Sequence, residues 1–208
     1  MYLEVFIVGI LAALSPGPDF VVVTKNSLGI GRKFGIATAL GIASALIVHI
    51  TYTVLGFTII LEKSPLIFNI IKLIGAAYLL MLGWQGIRSK AQSENVDKID
   101  IKNTQTTSSF LKAFREGFLC NVLNPKSALF FLSIFSQFIG TNTPDWVRWI
   151  YGGEIILAVG LWFILLATLI SNNYFRNFYQ QYRHWFDRCL GAILIVFATA
   201  IGITTFTR

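Results

Sequence analysis

The sequence predicts an all-α polytopic membrane protein, with six transmembrane helices forming two inverted three-helix repeats and helices 1 and 4 broken at proline motifs. Three observations support this. Of 208 residues, 55% are hydrophobic and 13% charged, whereas charged residues make up about 25% of a soluble domain. The apolar residues cluster in runs long enough to cross a bilayer. Similar motifs also recur in the same order in the two halves.

The net charge of +7 does not indicate nucleic-acid binding, because the basic residues lie between apolar runs and form no single patch. Cys120 and Cys189 lack metal-ligand spacing and read as free thiols. The first apolar run has no basic region before it and is too long for a signal peptide, so it reads as a retained span. Nothing in the sequence calls for a cofactor.

Span 1 is predicted over Leu3–Thr24, with its break at Ser15–Asp19. Span 2 runs over Phe34–Leu61. Its Ala37, Gly41 and Ala45 form a small-residue ridge suited to close helix approach, and such ridges permit a homodimer. A turn at Glu62-Lys63-Ser64-Pro65 leads to span 3, Leu66–Ile87. Residues 88–109 are polar, without apolar periodicity, and read as a linker. Span 4 is expected over Gly117–Ile139 and span 5 over Val147–Ile170. Aromatic residues spaced by three and four over Asn172–Arg188 predict a separate amphipathic helix in the membrane interface. Span 6 covers Cys189–Phe206.

Cationic residues are enriched in cytoplasmic loops. The loops after spans 1, 3 and 5 (residues 25–34, 88–116 and 172–188) hold twelve: Lys25, Arg32, Lys33; Arg88, Lys90, Lys98, Lys102, Lys112, Arg115; and Arg176, Arg183, Arg188. The other side holds Lys63, Arg148 and Arg208. These three loops are therefore expected in the cytoplasm and both termini outside.

Gly9 through Ser15-Pro16 in span 1 parallels Gly117 through Asn124-Pro125 in span 4. Lys72-Leu-Ile-Gly75-Ala76 in span 3 parallels Arg188-Cys-Leu-Gly191-Ala192 in span 6. The chain thus reads as one domain over 1–208, with repeat one at 1–87, a cytoplasmic linker at 88–109 and repeat two at 110–208. Three spans per repeat force opposite orientations. Inverted repeats led by broken helices place a transporter's substrate site where the breaks meet.

The candidate site follows from the costly residues. Ser15, Pro16 and Gly17 break a helix in lipid, where freed backbone groups find no water. Asp19 follows at once, roughly 9 Å inside the cytoplasmic edge at 1.5 Å per residue. The helix dipole favours its charge and burial opposes it, so the group is suited to exchange a proton; its simpler role is an N-cap. Asn121, Asn124, Pro125 and Lys126 form the counterpart in span 4, with Lys126 near mid-bilayer and within reach of Asp19. An ammonium, a carboxylate, amides and open helix ends suit a zwitterion. Lys72 and Glu154, at similar depth in spans 3 and 5, form a second possible pair, structural or gating. His49, in the middle of span 2, is either a packed hydrogen-bonding residue or a proton relay.

Ser15-Pro16-Gly17-Pro18-Asp19, the Gly31-Arg32-Lys33-x-Gly35 loop, Gly41 and His49 together resemble the N-terminal signature of the LysE/RhtB family of amino-acid exporters. Lys72 through Leu79 with Gly83-Trp84 resembles that family's third span, and Gly117 through Lys126 with Phe130-Phe131 its fourth. The resemblance implies a six-span protein of the bacterial cytoplasmic membrane that exports amino acids or close derivatives by proton antiport. It carries a role onto Asp19, Asn121, Asn124, Pro125 and Lys126.

The competing reading is a related transporter of heavy-metal cations, for which clustered soft ligands are missing from the sequence. A membrane enzyme would need a nucleophile–base set or paired acidic metal ligands, and neither stands out.

Overall fold

The computed structural model describes residues 2–14, 17–89, 109–139, 143–170 and 172–206. Among them are eight helices: α1 (Tyr2–Leu14), α2 (Pro18–Gly29), α3 (Arg32–Lys63), α4 (Pro65–Ile87), α5 (Phe110–Val122), α6 (Pro125–Phe138), α7 (Asp145–Leu169) and α8 (Asn173–Phe206).

Prolines set three of the starts. Pro18, Pro65 and Pro125 each occupy the first turn, where a missing N–H costs nothing and a fixed φ suits the helix. Ser64 caps α4 by accepting from Ile67 N–H at 3.3 Å. Gly31, with φ of 125°, turns the chain between α2 and α3 in a conformation that side chains other than glycine resist.

α3, α4 and α7 are each long and apolar enough to cross a membrane, and α5 with α6 passes the same test as one span bent by 58°. The outward faces carry many large apolar side chains. On α7, Leu157, Leu161 and Leu165 form an exposed stripe, as do Ile67, Ile70 and Ile74 on α4. Stripes of this extent on several helices suit lipid rather than water. The chain is a multi-pass membrane protein.

Two apolar clusters hold the helices together. One joins residues of α1, α2, α3, α4, α6, α7 and α8, with Ile42, Leu46, Phe135, Tyr151 and Leu166 almost fully enclosed. The other joins Leu79 of α4, Phe130 and Ile134 of α6, and Leu194 and Ala198 of α8. α4 packs on α8 and α6, α3 on α5 and α7, and α7 on α1.

Three expectations change. The segment 172–188 is not a separate interfacial helix, because it continues into the predicted sixth span as α8. Tyr179, Asp187, Leu190, Leu194 and Ala198 are all buried, so one helical face runs through the supposed boundary, with no proline to end it. Lys25, expected in a loop, lies within α2. The Ala37–Gly41–Ala45 ridge is used inside the chain: both alanines are fully buried, and Gly41 faces the Phe114 carbonyl of α5 while Gly117 of α5 faces the Thr38 carbonyl of α3. The ridge therefore offers no face to a second copy. Ser15, Pro16 and residues 90–108 of the expected linker lie outside the described residues.

Candidate functional site

The site forms where two helix breaks meet. α1 ends at Leu14, and α2 starts at Pro18 after an extended Gly17. This puts Asp19 in the first turn of α2, where the helix dipole favours a negative charge. The second break separates α5 from α6 at Leu123 and Asn124. Asn124 caps α6, its Oδ1 accepting from Lys126 N–H at 3.0 Å. Residues 121, 124 and 127 recur every three positions, so their side chains share one side of the break.

That side faces Asp19, which is buried. Asn121 Nδ2 donates to Asp19 Oδ2 at 2.9 Å. Ser127 Oγ and Asn124 Nδ2 approach the same oxygen at 3.4 and 3.5 Å, and Asn121 Nδ2 also reaches Ser127 Oγ at 3.2 Å. One carboxylate oxygen thus draws Asn121, Asn124 and Ser127 together. The other, Oδ1, is buried without a hydrogen-bond partner, and so is Asn121 Oδ1. A buried acceptor without a donor is costly, and these two lie one hydrogen bond apart.

A cavity of about 50 Å³ lies against this cluster, enough for a few water molecules. Gly17, Asp19, Asn121, Asn124, Lys126 and Ser127 make its polar pole. The remaining wall is apolar and includes Leu46, Leu82, Phe130, Phe131, Phe163 and Leu194. All eight helices contribute a lining residue or its immediate flank.

The cavity brings together Gly17, Asp19, Asn121, Asn124 and Lys126 of the expected site, and Pro125 starts α6 directly beneath them. Asp19 accepts from two amides and a hydroxyl. The Lys126 ammonium interacts electrostatically with Asp187 of α8 as well as with Asp19. His49 is buried outside the cavity lining, with Nε2 3.0 Å from the Asn121 carbonyl oxygen. Lys72 Nζ lies 5.0 Å above the Phe68 ring one turn back on its own helix, and Glu154 Oε2 is buried without a hydrogen-bond partner. α4, which carries Lys72, and α7, which carries Glu154, both pack on α3. Among the described residues, no group of three His, Cys, Asp or Glu could hold a metal ion.

Sequence reasoning missed three features. Ser127 was legible, being three residues after Asn124. Asp187, whose Oδ2 accepts from Ser89 Oγ at 2.8 Å, falls among the polar positions of the expected interfacial helix but is buried on α8. The third is a polar contact two turns along α2 from Asp19. There Asn26 Nδ2 donates to Thr38 Oγ1 at 2.8 Å and to Glu116 Oε2 at 3.1 Å, tying α2 to α3 and α5.

Residues 10–205 match the LysE type translocator family. The threonine efflux protein of Escherichia coli strain K12 is 33% identical over 206 residues, covering 98% of each chain. That of Salmonella typhimurium is 34% identical with the same coverage. The leucine efflux protein of Salmonella choleraesuis is 32% identical over 169 residues, 80% of this chain and 70% of its own. No solved structure matches the chain. A match across nearly the whole length, on a membrane-spanning helical fold, settles the assignment: this chain belongs to the LysE type translocator family and is a transporter, not an enzyme.

Proposed function

We propose that this protein exports a neutral amino acid across the cytoplasmic membrane by proton antiport, with Asp19 as the shared site for the substrate's ammonium and the proton. The observation that carries this is the pair of buried acceptors, Asp19 Oδ1 and Asn121 Oδ1, that lack a donor beside the cavity. A substrate ammonium supplies donors to both. A proton on Asp19 supplies one, so the two cargoes compete for one carboxylate, which is the requirement for antiport. The substrate carboxylate faces the Lys126 ammonium and the N-terminus of α6. The apolar wall takes a short uncharged side chain and offers no partner to a charged one. Threonine and leucine, named for the relatives, are accordingly the first probes.

The transport cycle rests on two inverted halves, α1–α4 and α5–α8. Each begins with a broken pair whose second helix starts at proline, Pro18 or Pro125. Helix neighbours also exchange in the sense a two-fold axis requires: α3 packs on α5 as α7 packs on α1, and α4 packs on α8. The halves are not equivalent: α2 packs on α3, whereas α6 packs on α4. In an inverted-repeat transporter such a difference distinguishes a closed side from an opening one. With Lys25, Arg32 and Lys112 in the cytoplasm, the closed side is the cytoplasmic one, sealed by Asn26, Thr38 and Glu116. Both termini are then outside.

Peptide-loaded cells test the function. Expression should speed the release of threonine, leucine or another neutral amino acid, and leave lysine release unchanged. Equal release with and without expression across the neutral amino acids contradicts the reading.

A further inference from the structure

The α5–α6 break leaves the Asn121 carbonyl short of a donor. In a continuous helix it would accept from the N–H four residues on, but that residue is Pro125, which has none. Asn124 N–H makes up part of the deficit at 3.0 Å. The rest comes from another helix: His49 Nε2 of α3 lies 3.0 Å from the same oxygen. His49 is 1% exposed, its ring stacks on Phe131 with centroids 5.8 Å apart, and Nδ1 lies 2.7 Å from the Tyr52 hydroxyl. A carbonyl only accepts, so Nε2 carries a hydrogen and Nδ1 faces Tyr52. The side chain of the same Asn121 makes the shortest hydrogen bond to Asp19.

We propose that His49 is a positioning residue: its Nε2–H completes the helix break at the Asn121 carbonyl and thereby holds the Asn121 carboxamide on Asp19. This rests on the reading of Asp19 as the substrate and proton site. His49 is not the proton carrier. Its Nε2 abuts a carbonyl that holds no proton, and its ring does not line the cavity.

His184→Gln leaves His49 as the single histidine, since the chain has two. In that background, ¹⁵N spectra of the purified protein in lipid should show Nε2 protonated. A neutral ring with a bare Nε2 overturns the proposal, and this readout does not depend on transport. Glutamine at the position can present its amide N–H to the same oxygen, and leucine cannot. His49→Gln should keep efflux within about threefold of the parent with an unchanged pH profile, whereas His49→Leu should lose about tenfold. His49→Gln as defective as His49→Leu, or with its pH dependence abolished, would make the ring a proton carrier. Wild-type efflux by His49→Leu also overturns the proposal. Should His49→Leu fail to insert, His49→Gln alone decides. Absence of amino-acid efflux from the parent would remove the functional reading, while the spectra still judge the hydrogen bond.

Discussion

Replacing Asp19 by Asn separates what the carboxylate does for the fold from what it does for transport. Its three polar neighbours approach Oδ2, led by Asn121 Nδ2 at 2.9 Å. A carboxamide of the same shape can put its oxygen there, so every donor keeps an acceptor. The bonds change from charge-assisted to neutral, from about 1.5–3 to about 0.5–1.5 kcal/mol each. Only the Asn121 bond is short, so the fold loses about 1–2 kcal/mol. At the Oδ1 position the variant presents an NH₂ group to a substrate ammonium, donor against donor. A buried hydrogen-bonded charge pair that loses one partner costs about 2–5 kcal/mol, at least about thirtyfold in affinity. The variant also has no group to carry the proton. Efflux from peptide-loaded cells, normalised to protein in the membrane, should therefore fall at least about thirtyfold, with the thermal midpoint lowered by about 5 °C. Wild-type efflux at wild-type abundance refutes the reasoning. Loss of the protein from the membrane would instead make Asp19 a structural residue.

Three further outcomes follow from the packing and the charge pattern. Gly41→Ala places a methyl group against the Phe114 carbonyl and should cost at least about 1–3 kcal/mol, read as a lower thermal midpoint in detergent. Glu116→Ala removes the α5 acceptor of the two that Asn26 uses and should loosen α2 from α5; with Cys189 replaced by Ser, Cys120 should then react faster with a permeant maleimide than in the parent. A cysteine placed at Lys98 should resist an impermeant maleimide added to intact cells, and labelling there would reverse the orientation.

Much of the fold was legible because membrane segments announce themselves through a few costly residues. Pro18, Pro65 and Pro125 each begin a helix, and each stands in the sequence after a turn or a break. The meeting of Asp19 with Asn121 and Asn124 was legible for a related reason: polar groups at that depth need partners, and the two broken segments hold complementary ones. What stayed hidden depends on helix rotation and neighbour choice. Asp187 looks like a surface residue until α8 is seen as one helix whose buried face continues from Tyr179 to Ala198. Asn26 and Glu116 are ordinary polar residues in sequence, and only the glycine-mediated approach of α3 to α5 brings Thr38 and Glu116 within reach of Asn26.

The most direct test of proton-coupled export at Asp19 uses purified protein in sealed liposomes. Vesicles acid inside and neutral outside should accumulate a labelled neutral amino acid above its bath concentration, and a proton ionophore should abolish the excess. Asp19→Asn vesicles should show no accumulation under the same gradient. Accumulation that ignores the pH gradient, or that Asp19→Asn retains, would contradict the assignment of Asp19 as the group through which proton and substrate exchange.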